Sequence, residues 1–155
     1  MVRLYLMQHA DADSKSEGAE RTITPQGKAD TEKMAKYTLT HLKIKPGEII
    51  HSGKKRAEQT AAIIGKALGL SKKISIDKNL APMSDISIWA EKIASGSSDL
   101  MLIGHLPHLA RFCAYLLCGD AEKPIVEFRN SGIVCLERGI DGRWSLIWIM
   151  APDII

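Results

Sequence analysis

The sequence predicts an α/β protein, a three-layer α/β/α sandwich with a mostly parallel central sheet and a C-terminal antiparallel hairpin. Three observations lead to this fold class. Short apolar runs alternate with longer segments that have helical spacing and helix-capping residues. Two of the runs, "LYLMQH" and "LMLIGH", end abruptly at a histidine. The last two runs are joined around Asp141-Gly142, a dipeptide typical of hairpin turns.

The N-terminal elements are predicted to be a buried strand and a capped helix. Residues Val2–Met7 are continuously apolar except for one arginine, which is typical of a central strand covered on both faces. Residues 10–22 are polar and contain glycine, so we expect a loop. Thr24 then provides an N-cap and Pro25 takes the first helical position. Apolar residues at near-helical spacing extend this helix to about Leu42.

The middle of the chain continues the alternation of strands and helices. Glu48–His51 predicts a second strand, and a Ser-Gly pair leads from it into a helix over Lys55–Leu68 that Gly69 ends. Ile74–Asp77 predicts a short third strand. Ser84 is the expected N-cap of the next helix, whose apolar face carries Ile86, Trp89 and Ile93.

The last third of the chain repeats the opening pattern and then closes the sheet. Residues 99–105, "DLMLIGH", predict a fourth strand that ends in a histidine, and a helix follows from about Pro107 to Leu117. Residues 132–150 predict the antiparallel hairpin. Since no internal repeat or linker divides the chain, we expect one domain over residues 1–155.

Composition narrows the class of protein. With 155 residues, 45% hydrophobic, the chain has enough apolar surface for a core that needs neither disulfides nor a metal. The net charge of +3 is spread along the chain and aromatics are 5%, so we expect no nucleic-acid partner.

Cys113, Cys118 and Cys135 lack CxxC spacing and stand among apolar residues, as free buried thiols do in a reducing cytosol. The first apolar run is too short for a signal peptide, and no run approaches the ~20 residues of a membrane span. We therefore expect a cytoplasmic protein without a membrane partner.

The residues with chemical potential follow the predicted strands. In an open α/β sheet, ligands bind beyond the carboxyl ends of the strands. His9 follows the first strand, the segment Ser52 to Arg56 follows the second, and His105 ends the fourth. A guanidinium matches phosphate oxygens, and an imidazole can transfer protons or attack as a nucleophile, so the set predicts an anion site with a nucleophile. Zinc is the alternative, but no third ligand stands at a recognisable spacing, although Asp11 could contribute.

Four motifs resemble those of the histidine phosphatase superfamily. The segment "LYLMQHADA" resembles a first strand that ends in Arg-His-Gly, and "RTITPQG" resembles R-P-L-T-x-x-G. The segment "SGKKRAEQT" resembles S-P-x-x-R-A-x-Q-T, and "GHLPHL" resembles G-H-x-P. The motifs occur in the family's order over nearly the whole chain. Together with the short length, "RAEQT" and "GHLP" point to the SixA-type phosphohistidine phosphatase branch of this phosphoglycerate mutase-like superfamily.

The resemblance implies roles for individual residues. His9 would be the nucleophile, forming a phosphohistidine on its Nε2 atom that water then hydrolyses. Arg56 would hold the phosphoryl oxygens, and His105 would donate to the developing charge. Arg21 would add a further phosphate contact, or would instead be a surface ion-pair partner. No metal or organic cofactor is required, and the implied substrate is a phosphorylated histidine on a protein, such as a phosphotransfer domain, or a small phosphorylated molecule.

Two departures from the family pattern leave alternatives open. Gln8 stands where the family usually has arginine; an amide still donates a hydrogen bond, but losing a charge-assisted contact costs on the order of 1 to 3 kcal/mol. The chain is then either an active phosphatase with a weakened pocket, which the retained His9, Arg56 and His105 favour, or a phosphate-binding relative with little turnover. Asp11 is the candidate general acid, with orientation of His9 and a plain loop carboxylate as its alternatives. A missing strong acid fits a P–N substrate, while a broad phosphomonoesterase is a third hypothesis.

Overall fold

Alternating strands and helices build the molecule in the computed structural model, which describes residues 1–14 and 20–155. In chain order the elements are β1 (Val2–Gln8), α1 (Pro25–Tyr37) with a π-helical turn (Thr38–Leu42), β2 (Glu48–His51), α2 (Lys55–Leu68), β3 (Ile74–Ile76), a 3₁₀ turn (Lys78–Leu80), α3 (Ile86–Ala94), β4 (Leu100–Gly104), α4 (His108–Cys118), β5 (Ile133–Arg138), β6 (Trp144–Met150) and a 3₁₀ turn (Pro152–Ile154). Of the predicted loop over residues 10–22, the stretch 15–19 lies outside the described residues.

The strands form one six-stranded sheet in the order β3-β2-β4-β1-β5-β6. The first four of these pair in parallel, whereas β5 is antiparallel to β1 and β6 is antiparallel to β5. A mostly parallel sheet with a C-terminal antiparallel hairpin is therefore confirmed. β1 lies between β4 and β5, and its residues Leu4, Tyr5, Leu6 and Met7 are buried, as a central strand requires.

Each face of the sheet has its own apolar core. Because successive strand residues point to opposite faces, Leu4 and Leu6 pack with residues of α3 and α4, and Tyr5 and Met7 pack with residues of α1 and α2. The first core contains, among others, Trp89, Ile93, Leu109 and Phe112; the second contains Met34, Ala57, Ala61 and Ile64. Helices therefore cover both faces, and the predicted three-layer sandwich is confirmed.

Local signals placed most element ends within a residue or two; the exception is α1, which was predicted to reach about Leu42 but ends at Tyr37, with a π-helical turn continuing to Leu42. Thr24 caps α1 as predicted, since its side chain accepts a hydrogen bond from the Gly27 amide at 3.0 Å. Ser84 as the cap of α3 is wrong: Asp85 accepts from the Ser87 amide at 2.9 Å, while Ser84 Oγ donates to the Lys78 carbonyl. Both are good capping residues, and the one directly before the helix takes the role.

The cysteines and the helix lengths test two further expectations, buried free thiols and the lack of a membrane-spanning helix. Cys113 and Cys135 are buried free thiols, as predicted. Cys118 is free but exposed, contrary to the prediction, because it is the last residue of α4. Within the described ranges, no helix combines the length and the apolar character needed to cross a bilayer.

Candidate active site

Three of the predicted residues converge where the parallel strands end. β1 and β4 are neighbours with Gln8 opposite Gly104, so His9 and His105 begin adjacent loops. Their ring centroids are 4.9 Å apart. Arg56 lies in the first turn of α2, and its Nε atom is 3.4 Å from Nε2 of His9. The fold thus brings together two imidazoles and a guanidinium that are far apart in the sequence.

Both ring nitrogens of His9 have partners, and Nε2 is the unprotonated one, which accepts a hydrogen bond from Nε of Arg56 at 3.4 Å. Its Nδ1 lies 2.7 Å from the Ala10 carbonyl oxygen. A carbonyl can only accept, so Nδ1 carries the proton and Nε2 keeps its lone pair. Burial, with only 8% of the residue exposed, and the nearby charges of Arg56 and Arg21 lower the pKa of His9 to about 4. His9 is therefore a neutral imidazole at pH 7, which is the form that can attack phosphorus.

His105 is also neutral, and a hydroxyl holds it. Burial, followed by the charges of His9 and Arg56, lowers its pKa to about 2. Its Nε2 is 2.6 Å from the Ser52 hydroxyl, whereas its buried Nδ1 has no hydrogen-bond partner in the described parts of the chain. Any donation from Nε2 to a phosphoryl oxygen would therefore compete with Ser52.

Guanidinium groups dominate the electrostatics around His9. Burial lowers the pKa of Arg56, and the charge of Arg21 lowers it further, so the two cations lie within range of each other. Lys54 adds positive potential at His105. Arg21 donates to the carbonyl oxygens of Ala12 at 3.3 Å and Asp13 at 3.2 Å, and within residues 1–14 and 20–155 it has no ion pair. Both predicted roles of Arg21, a phosphate contact and a surface ion pair, remain open.

Gln8 is the last residue of β1 and is partly buried. Its Oε1 atom is buried and, among the described residues, accepts no hydrogen bond. The residue directly before His9 is thus a neutral amide, whose oxygen is unsatisfied among the described residues, where the related motif has a cation.

Asp11 is exposed and turned toward the start of α1. Its Oδ2 accepts a hydrogen bond from Thr24 Oγ1 at 2.8 Å, and its carbonyl accepts from the Thr24 amide at 2.9 Å. The alternative in which Asp11 orients the His9 ring is wrong, because the Ala10 carbonyl is the partner of Nδ1. Asp11 is tied to the N-terminus of the helix, and its charge only weakly raises the pKa of His9.

Two supporting side chains were not predicted. Asn130 Nδ2 donates to the His9 carbonyl at 2.9 Å, and Thr60 Oγ1 accepts from the Ala10 amide at 2.9 Å. Thr60 lies inside the motif "SGKKRAEQT", so a signal for it existed. Asn130 belongs to no recognised pattern, and only the fold brings it to His9. The described residues contain no group of three or more histidines, cysteines or carboxylates placed to hold a metal, so the zinc alternative lacks its third ligand there.

Comparison with known proteins identifies a relative along the whole chain. No protein-family profile matches the sequence. The phosphohistidine phosphatase SixA of Escherichia coli strain K12 is 26% identical over 157 residues, which cover 97% of this chain and 94% of the relative. This chain is a homologue of SixA.

Solved structures agree with this homology. The structure of the protein histidine phosphatase SixA complexed with tungstate matches with a TM-score of 0.88 and 24% identity over 97% of both chains. A SixA-type protein of Agrobacterium tumefaciens matches with a TM-score of 0.79 and 25% identity, again over 97% of both chains. This chain thus has the α/β fold of SixA and its phosphoglycerate mutase-like relatives, as its motifs predicted.

Proposed function

We propose that this chain is a metal-independent phosphatase that removes phosphoryl groups from protein phosphohistidine through a covalent intermediate on His9. The observation that carries the proposal is the unprotonated Nε2 of a buried His9, 3.4 Å from Nε of Arg56. The homologous SixA is named a phosphohistidine phosphatase, and a SixA structure holds tungstate, a tetrahedral oxyanion shaped like phosphate. We extend that substrate class to this chain.

The first step is transfer of the phosphoryl group to the enzyme. The Nε2 lone pair of His9 attacks phosphorus in line with the P–N bond of the substrate. A P–N bond to His9 forms as the substrate's P–N bond breaks, and the electron pair leaves with the substrate imidazole. Arg56 neutralises the equatorial oxygens throughout, because its guanidinium is a permanent cation with several donors.

The second step returns the enzyme to its starting state. With phosphorus on Nε2 and a proton on Nδ1, the His9 ring carries a positive charge. The Ala10 carbonyl, 2.7 Å from Nδ1, stabilises that charge. Water then attacks phosphorus from the side opposite His9, the P–N bond breaks, its electron pair returns to Nε2, and phosphate leaves.

The leaving group explains why a phosphoramidate suits this pocket better than an ester. An imidazole whose second nitrogen carries a proton departs as a neutral molecule, whereas an alkoxide must be protonated as it leaves. The candidate acid, Asp11, is exposed and hydrogen-bonded to Thr24. Phosphoramidates should therefore be hydrolysed faster than alkyl phosphates, and equal rates would favour a broad phosphomonoesterase.

The covalent intermediate provides the direct test. Brief exposure to a ³²P-labelled phosphohistidine protein should give enzyme label that is acid-labile and alkali-stable, as phosphohistidine is. His9→Ala should abolish the label, whereas His41→Ala, which changes an exposed histidine outside the pocket, should keep it. Label that persists in His9→Ala would remove His9 from the mechanism.

A second candidate function rests on Gln8. A pocket that lacks one cation binds phosphate less firmly and stabilises the transition state less, as in a phosphate-binding module with little turnover. Phosphate binding without hydrolysis of either a phosphohistidine protein or a chromogenic aryl phosphate would favour the module. Hydrolysis of the phosphohistidine protein favours the phosphatase.

A further inference from the structure

We infer that Thr60 is a positioning residue that fixes the separation between His9 and Arg56. The inference rests on the proposed function, because it concerns the geometry of the proposed phosphoryl transfer. Thr60 lies on α2, four residues after Arg56, and its side chain is fully buried at 0% exposure. It is too far inside to touch a substrate, so its effect must pass through the residues that it contacts.

A single oxygen atom of Thr60 joins the two halves of the pocket. Its hydroxyl donates to the Arg56 carbonyl at 2.7 Å and accepts from the Ala10 amide at 2.9 Å. The first bond is the common one between a helical threonine and the carbonyl four residues earlier. The second is unusual, because it reaches the loop after β1, 50 residues away in sequence. The turn of α2 that carries Arg56 is thereby linked to the residue after the nucleophile.

The linked residue also orients the nucleophile. The Ala10 carbonyl accepts the Nδ1 proton of His9, so the position of Ala10 decides where the Nε2 lone pair points. Besides the 3.4 Å contact between Arg56 Nε and His9 Nε2, the backbone of His9 has its own partners: its amide donates to the Gly104 carbonyl at 3.1 Å, and Asn130 Nδ2 and the Ser131 amide donate to its carbonyl at 2.9 and 3.4 Å. These backbone bonds hold His9 to β4 and to the segment before β5, whereas Thr60 ties the backbone of the next residue, Ala10, to the helix of Arg56.

Threonine suits this role better than any apolar residue of the same shape. Valine would fill the same space but would leave the Ala10 amide without its acceptor, and a buried amide seeks another partner. The loop would then shift, and the Nε2 to Arg56 distance would change with it. Misplacement by about 1 Å of reacting groups costs about 100-fold in rate.

The test compares two substitutions that separate the hydroxyl group of Thr60 from its methyl group. Thr60→Val removes the hydroxyl and keeps the branched shape, whereas Thr60→Ser keeps the hydroxyl and removes the methyl group. In single-turnover reactions with a labelled phosphohistidine protein, Thr60→Val should form phospho-His9 about 10- to 100-fold more slowly. Thr60→Ser should remain within about 3-fold of wild type. Tungstate affinity should change by less than about 3-fold in both, because Arg56 itself is intact.

Nitrogen NMR of the His9 ring gives a readout that loss of stability alone does not move. With the Ala10 carbonyl displaced, the Nδ1 and Nε2 shifts of Thr60→Val should move toward a tautomer mixture, while Thr60→Ser keeps the wild-type pattern. A wild-type rate in Thr60→Val, or a rate in Thr60→Ser as low as in Thr60→Val, would overturn the inference. Thr60→Ala replaces the valine variant if that variant does not fold. If wild type itself forms no phosphohistidine, the proposed function fails; if wild type does and Thr60→Val matches it, this inference alone fails.

Discussion

Gln8→Arg restores the one cation that the pocket lacks relative to its motif. Gln8 ends β1 beside the nucleophile and carries a buried oxygen that no described group satisfies. Arginine removes this oxygen and adds a fork of charged donors directly before His9, whose pKa the charges of Arg56 and Arg21 already lower. The substitution therefore changes both the binding of an anion and the stability of the empty pocket.

The two effects have opposite signs. A charge-assisted hydrogen bond contributes about 0.5 to 2 kcal/mol more than a neutral one, so phosphate should bind about 2- to 30-fold more tightly. Without an anion, a further positive charge beside His9, where the charges of Arg56 and Arg21 already act, is electrostatically unfavourable. We expect Gln8→Arg to melt below wild type in phosphate-free buffer and to gain more than wild type when phosphate is added.

Calorimetric titration with phosphate or tungstate and single-turnover formation of phospho-His9 measure the two quantities. Gln8→Met is the matched control, because it has a similar volume, no charge and no amide. It should bind phosphate less tightly than wild type and melt higher, since the buried unsatisfied oxygen is gone. If Gln8→Arg leaves both phosphate affinity and the rate of phosphoenzyme formation unchanged, the idea of a weakened pocket is wrong.

Three further predictions concern pH and packing. Because burial lowers the pKa of His9 to about 4, phospho-His9 formation should stay constant down to about pH 5 and fall near pH 4; a break near pH 6.5 in rapid-quench data would contradict this. Burial also lowers the pKa of His108 from 6.5 to about 4, so the unfolded chain binds its proton first and stability is lost as pH falls through this window, by on the order of 3 kcal/mol. His108→Phe should reduce the slope of that acid limb in urea titrations without removing it, because His9 and His105 also have lowered pKa values, and an unchanged limb would contradict the prediction. Gly27→Ala would place a methyl group 2.4 Å from the Asp11 carbonyl oxygen, so we expect a loss of about 1 to 3 kcal/mol in thermal melts despite alanine's helix preference, and an unchanged melting temperature would show that the loop yields freely.

Local sequence signals were enough for the elements but not for their order in space. Thr24 and Pro25 marked the start of α1, and Gly69 marked the end of α2, because capping and positive φ restrict the residue type. The place of β4 between β2 and β1 has no such local cause, since strand order depends on packing of the whole chain. The choice of Asp85 over Ser84 as a cap was equally hidden, because both side chains offer the required oxygen.

The site divides in the same way. His9, Arg56 and His105 could be placed together because parallel strands end at one edge of the sheet. Asn130 could not be predicted to lie at the site, because it donates to the backbone carbonyl of His9 and every residue has such a carbonyl. The tie between Asp11 and Thr24 was hidden for a related reason: a carboxylate near a nucleophile suggests acid catalysis, and only the geometry shows its hydroxyl partner.

The two histidines contribute no positive charge to the site. The charge of residue 8 therefore matters more for anion binding. Both imidazoles are neutral at pH 7, since burial lowers their pKa values to about 4 and about 2. Under the proposed function, attraction for a phosphoryl group would therefore depend on Arg56, Arg21 and Lys54, whose charges reach one or both histidines. Because burial keeps both rings unprotonated, neither histidine can supply the positive charge that a guanidinium at residue 8 would bring. If His9 is the nucleophile, as proposed, the glutamine should weaken phosphate binding and the stabilisation of the equatorial oxygens in the transition state, and it should leave the attack by His9 itself unaffected.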